Sequence, residues 1–87
     1  MRKEMIEMLL PSLIKTLRKR SLLSQEDFAK SLNVSTGTIN RWEHGKTTPN
    51  ITAMKKIKEF CEANGFDYKE IEQGWINSDT GIDNENS

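Results

Sequence analysis

The sequence predicts an all-α protein, a compact bundle of about five short helices. Three observations carry that expectation. Apolar residues recur at i, i+3, i+4 and i+7, which places them on one face of a helix, and no stretch alternates as a strand would. Residues that cap helix starts, and residues that tolerate the left-handed conformation at helix ends, fall at the borders of those stretches. At 87 residues the chain holds one small domain, because chains of about this size bury only about 60% of their unfolded surface. No internal repeat is present.

Leu10, Leu13, Ile14 and Leu17 form the first stripe. Pro11 suits its first turn, where a missing N–H has no helical partner. Met5, Met8 and Leu9 lie upstream, in an N-terminal extension assigned to residues 1–10. Ser24 reads as a helix N-cap with Asp27 in the first turn, leading into Phe28, Ala29 and Leu32. Asn33 follows and accepts the left-handed conformation. Ser35 caps a third segment, with Ile39 and Trp42 inward and Gly45 at its end. Thr47-Thr48-Pro49 reads as a loop. Asn50 caps the next helix, whose apolar face is Ile51, Met54, Ile57 and Cys61, and Asn64-Gly65 ends it. Asp67 with Glu70 marks a last start, with Tyr68, Ile71 and Trp75 at helical spacing over residues 67–77. Residues 78–87 are almost all polar and read as a disordered tail. The helical domain accordingly spans residues 11–77.

Charge is balanced overall, with 13 Lys and Arg against 13 Asp and Glu, but it is segregated. From Lys15 to Lys58, ten basic residues face three acids; from Glu59 to Ser87, eight acids face Lys69 alone. A basic segment is an electrostatic footprint for a polyanion, and an acidic tail limits non-specific adhesion. One cysteine, Cys61, excludes an internal disulfide and suits a reducing compartment. One cysteine and one histidine exclude the usual zinc sets, and no cofactor is expected. No apolar run reaches the 18 or so residues of a membrane span. Met1-Arg2-Lys3-Glu4-Met5 lacks the apolar core of a secretion signal. These features point to a cytoplasmic protein without a membrane partner. Ser, His and acidic residues occur, but their spacing gathers them around no pocket, so an enzyme is not expected.

The stretch 24–44 carries the most information. Two short helices joined by two or three residues must cross steeply, and steep crossing needs a small residue at the contact. Ala29 supplies it. Asn33 supplies positive φ, Val34 plugs the corner, and Phe28, Leu32, Ile39 and Trp42 complete the buried faces. This is helix-turn-helix geometry, in which the second helix lies in the major groove of DNA.

Residues 14–60, with Leu17-Arg18, Leu23-Ser24-Gln25, Ala29, Ile39, Trp42-Glu43, Gly45-Lys46 and Pro49 at matching spacing, resemble the phage repressor/Cro-type (XRE) helix-turn-helix family. The resemblance implies a lambda-repressor-like bundle of five helices, with the recognition helix over Ser35–Glu43. Its outward set is Thr36, Gly37, Thr38, Asn40 and Arg41, the expected base contacts. Arg41 can donate two hydrogen bonds to guanine O6 and N7. Gly37 departs from the family's usual longer side chain. It reads either as a site of close backbone approach or as a tolerated weak position, at about 1 kcal/mol of helix propensity. Ser24 and Gln25 at a helix start, Ser35, and His44, Lys46, Thr47 and Thr48 after the recognition helix are the expected phosphate contacts, which position without reading sequence. The family commonly pairs the residues at Arg18 and Glu43 as a structural ion pair.

Phe66, Tyr68, Ile71 and Trp75 either close the monomer core or, as family members commonly do, form a symmetric homodimer. A dimer would face two recognition helices to successive major grooves about 34 Å apart on a palindromic operator. The functional expectation is a sequence-specific transcriptional regulator of double-stranded DNA, acting as a repressor. The alternative is an antitoxin that autoregulates its operon and binds a toxin protein.

Overall fold

The structure is a computed structural model that describes residues 9–78. The expectations for residues 1–8 and 79–87, including most of the extension and the tail, lie outside it. Five helices and no strand occur among the described residues: α1 (Leu10–Arg20), α2 (Gln25–Leu32), α3 (Thr36–Glu43), α4 (Ile51–Asn64) and α5 (Lys69–Ser78).

Local chemistry sets most boundaries. The hydroxyls of Ser24 and Ser35 accept from the amides of Asp27 and Thr38 at 3.0 and 3.1 Å, and Asn50 Oδ1 accepts from Ala53 at 2.8 Å. Each cap satisfies an amide that the helix start leaves without a partner. Asn33 closes α2 in the left-handed region at φ 57°, and Gly65 closes α4 at φ 76°. Lys19 and Arg20 sit in the last turn of α1, where the helix dipole favours positive charge.

Some boundaries differ from the sequence reading. Leu10 is buried and begins α1, so it belongs to the domain and not to the extension. Asp67 does not cap a helix at once. Its Oδ1 accepts from the Lys69 amide at 3.0 Å, a turn across two residues, and helical bonding starts from the Tyr68 carbonyl, which accepts from Glu72 at 2.9 Å. The last helix therefore runs from Lys69 to Ser78 instead of over residues 67–77, and Ser78 belongs to it. Ile51 is 62% exposed, because it is the first residue of α4 and Ala53 takes the bundle-facing position instead.

The core joins all five helices. Phe28, Ile14, Leu32, Ile39, Ile57 and Cys61 are the fully buried large side chains. Phe28 meets Phe60 edge to face, with centroids 5.3 Å apart, the geometry that ring quadrupoles favour. Burial, with Asp67 and Glu62 nearby, pushes the Cys61 thiol up to about 11. A thiol that high carries little thiolate at neutral pH, so Cys61 is a packing residue.

The turn between α1 and α2 holds Leu22 at φ 61°, with its side chain 91% exposed. A leucine in the left-handed region costs about 1–2 kcal/mol, and this side chain buries almost nothing in return. Glycine would remove that strain while adding about 0.4–1 kcal/mol of unfolded-chain entropy. The first effect is larger, so Leu22→Gly is expected to raise stability by about 0.5–1 kcal/mol. A lower denaturation midpoint for the variant would contradict this.

Candidate nucleic-acid interface

The α2–α3 corner is built as a steep crossing. Ala29 is buried at the contact, and the Val34 amide donates to the Ala29 carbonyl at 2.9 Å, so the chain turns sharply behind Asn33. Lys56 Nζ reaches the Asn33 carbonyl at 3.4 Å, tying α4 to the same turn. This corner sets the roll of α3 about its axis. Ile39 and Trp42 are 0% and 4% exposed. Thr36, Gly37, Asn40 and Arg41 lie on the exposed side, and Thr38 is half-buried.

Polar contacts hold α3 against the bundle. Arg18 Nε donates to Glu43 Oε2 at 2.6 Å and Nη2 donates to Oε1 at 3.0 Å, a bidentate pair between α1 and α3. Arg18 Nη1 also donates to the Leu23 carbonyl at 3.0 Å. The two side chains are 12% and 2% exposed. Burial pushes the Glu43 carboxyl upward, but hydrogen bonds from Arg18 and Gln25 and the Arg18 charge outweigh it, leaving the group below the usual carboxylate range. The bond to Glu43 correspondingly raises Arg18.

Gln25, an expected phosphate contact, is half-buried and has a structural task as well. Its Nε2 donates to Glu43 Oε1 at 3.1 Å, and its Oε1 accepts from Asn40 Nδ2 at 3.4 Å. The amide thus bridges the start of α2 to the exposed face of α3. At the start of α3, the Ser35 and Thr38 hydroxyls are 2.8 Å apart, and Arg41 Nη2 donates to Thr38 Oγ1 at 3.4 Å. Ser24 and Ser35 also cap their helices. His44 Nδ1 lies 2.8 Å from the Asn40 carbonyl at the other end of α3. Lys46, Thr47 and Thr48 are exposed in the loop that follows.

The two helices form a steep corner, and the second has one apolar and one polar face. A family model described as helix-turn-helix matches residues 14–71. The chain belongs to the XRE-type helix-turn-helix family. The HTH-type transcriptional activator BcrR of Enterococcus faecalis is 40% identical to it over 47 residues, which is 54% of this chain and 23% of that protein. The matched part is thus less than a quarter of the relative's length. No solved structure matches the chain.

In this helix-turn-helix chain α5 closes the bundle over α1. A Cβ built on Gly74 would stand 2.7 Å from Leu13 Cδ1 and 3.6 Å from Leu10 Cα. Trp75 Nε1 donates to the Pro49 carbonyl at 2.6 Å, which fastens α5 to the loop after α3. Gly74, Lys56 and the Trp75–Pro49 bond leave no mark in the sequence pattern, because each acts between segments far apart along the chain. Of the four residues assigned to a dimer contact, Ile71 is 3% exposed and packs in the monomer core. Phe66, Tyr68 and Trp75 are half-buried against that core. Lys58 Nζ sits 6.0 Å from the Tyr68 ring centre. Burial, with Glu72 and Cys61 adding, raises the Tyr68 hydroxyl above its ordinary value. Among the described residues no group of His, Cys, Asp and Glu is arranged to hold a metal ion, and no helix is long and apolar enough to cross a membrane.

Proposed function

We propose that this chain is a sequence-specific DNA-binding transcriptional regulator that lays α3 in the major groove of double-stranded DNA. The observation that carries the reading is the division of α3: Ile39 and Trp42 are buried, and Thr36, Gly37, Asn40 and Arg41 are exposed on the other side. Arg41 then donates to guanine O6 and N7, and Thr36, Thr38 and Asn40 meet neighbouring base edges. Ser24, Gln25, Ser35, His44, Lys46, Thr47 and Thr48 flank that face and meet phosphates. The excess of basic residues from Lys15 to Lys58 supplies the attraction that does not depend on sequence.

We further infer that two copies bind a palindromic operator, meeting through the α5 end of the domain. Phe66, Tyr68 and Trp75 are half-buried there, and Ile76 is 52% exposed. Ile71, already in the monomer core, contributes by holding α5 in place. Occupying a promoter in this way represses it. The relative is named an activator, but the direction of control depends on where the operator lies relative to the promoter.

Titration against duplexes selected from a random pool tests the reading. Arg41→Ala is expected to lose about 1–3 kcal/mol of binding free energy and to relax one base preference. Lys46→Ala is expected to weaken all sequences alike and to flatten the salt dependence by about one ion. Equal affinity of the unaltered protein for random and selected DNA would refute the sequence-specific reading.

A further inference from the structure

The exposed face of α3 contains a packing arrangement that composition does not reveal. Gly37 precedes Arg41 by four positions, so the two stand one above the other on the helix surface. A Cβ built on Gly37 would lie 3.3 Å from Arg41 Nη1 and 3.9 Å from Ser35 Oγ. The Arg41 guanidinium therefore lies back over the first turn of α3, in the space that a side chain longer than alanine at position 37 would occupy. Thr38 Oγ1 accepts from Arg41 Nη2 at 3.4 Å and is 2.8 Å from the Ser35 hydroxyl, which itself caps the helix. The Ser35–Thr38 pair braces the guanidinium from one side, and the missing side chain of Gly37 admits it from the other.

Gly37 also costs about 1 kcal/mol of helix propensity relative to Ala. Its own φ is not in the left-handed region, which holds only Leu22, Asn33, Gly45 and Gly65 among the described residues. Backbone conformation therefore gives no reason for glycine at this position. The space beside Arg41 does.

We propose that Gly37 is a specificity-determining residue: by leaving its place to the Arg41 guanidinium, it makes α3 select a guanine opposite its first turn. Thr38 is the positioning residue that holds Arg41 there. This inference rests on α3 reading DNA. A guanidinium already braced presents its two donors in one orientation and loses less rotamer freedom on binding than a free arginine. An arginine displaced by a side chain at position 37 still attracts phosphate but no longer meets guanine O6 and N7 in a bidentate fork.

The test is base preference, read by competition among duplexes that differ at each operator position, with affinity for random DNA and thermal midpoint measured alongside. Gly37→Ala needs only a shift of a few tenths of an ångström at the flexible end of Arg41, and its guanine preference is expected to stay within about two-fold of the unaltered protein. Gly37→Leu fills the guanidinium site, and guanine discrimination at the position read by Arg41 is expected to fall about five-fold or more. Its thermal midpoint is expected not to fall, since Leu is a better helix former than Gly. Thr38→Val keeps the shape but removes the acceptor for Arg41 Nη2, and is expected to lower guanine discrimination at the position read by Arg41.

Guanine discrimination unchanged in Gly37→Leu and Thr38→Val, with Arg41→Ala abolishing it, would overturn the proposal and leave DNA reading by α3 intact. A uniform loss of affinity in Gly37→Leu, with the ratio between bases preserved, would overturn it equally, as a steric block. If Arg41→Ala alters no base preference, DNA reading by Arg41 fails and the proposal fails with it.

Discussion

Glu43→Ala is expected to lower the unfolding free energy by about 3 kcal/mol, the lower end of the range of about 3–5 kcal/mol for breaking a buried ion pair. The loss follows from what remains. Arg18 keeps a charge at a site only 12% exposed, and two of its donors together with Gln25 Nε2 lose their acceptors. The lower end applies because Arg18 still donates to the Leu23 carbonyl and can turn partly toward water. Replacing both charges, as Arg18→Met with Glu43→Leu, is expected to recover much of the loss, since an apolar pair of similar size carries no desolvation cost. Chemical denaturation of the single and double variants measures this, and an unchanged midpoint in Glu43→Ala would show that the pair does not hold α3.

The same pair gives a pH dependence of defined sign. The Glu43 carboxyl titrates lower in the folded chain than the roughly 4.3 of an unfolded glutamate. Its contribution is present in full above the unfolded value and is lost as pH falls through the folded one. The stability gap between the unaltered protein and Glu43→Gln is therefore expected to narrow below about pH 4. A gap that widens on acidification would contradict the assignment.

Gly74→Val is expected to cost up to about 3 kcal/mol, the upper end of ordinary overpacking. The contact is already tight for a single carbon, at 2.7 Å from Leu13 Cδ1, and Leu10 backbone lies just behind it. Valine adds two more methyls that the α1–α5 seam cannot take in without separating the helices. Gly74→Ala is a different case. The helix gains about 1 kcal/mol in propensity, and the clashing atom is the end of a side chain that can turn, so the two effects nearly cancel. A fall in thermal midpoint for Val but not for Ala would identify helix approach as the cause. Equal behaviour of the two variants would refute it. Trp75 fluorescence reports whether α5 has detached from Pro49, its partner at 2.6 Å.

Local residue patterns place the helices, apart from the start of α5, and the corner between α2 and α3. Ser24, Ser35 and Asn50 were legible as caps because each acts on an amide three residues away, and Asn33 because left-handed backbone is a local preference. The stripes Leu10–Leu17 and Phe28–Leu32 were legible because helical period alone puts them on one face. The outward set on α3 followed once Ile39 and Trp42 were assigned inward. Contacts between segments distant along the chain follow no such local pattern. Trp75 meets Pro49 across 26 positions, and Gln25 meets Glu43 across 18. The Gly74 approach to Leu13 and the exposure of Ile51 depend on how whole helices cross. Even Arg41, which is local in sequence to Gly37, takes its orientation from a space left empty, and a pattern of residue types does not show where a side chain comes to rest. Periodicity and capping act within one turn of helix, whereas crossing angles emerge from the summed packing of all five.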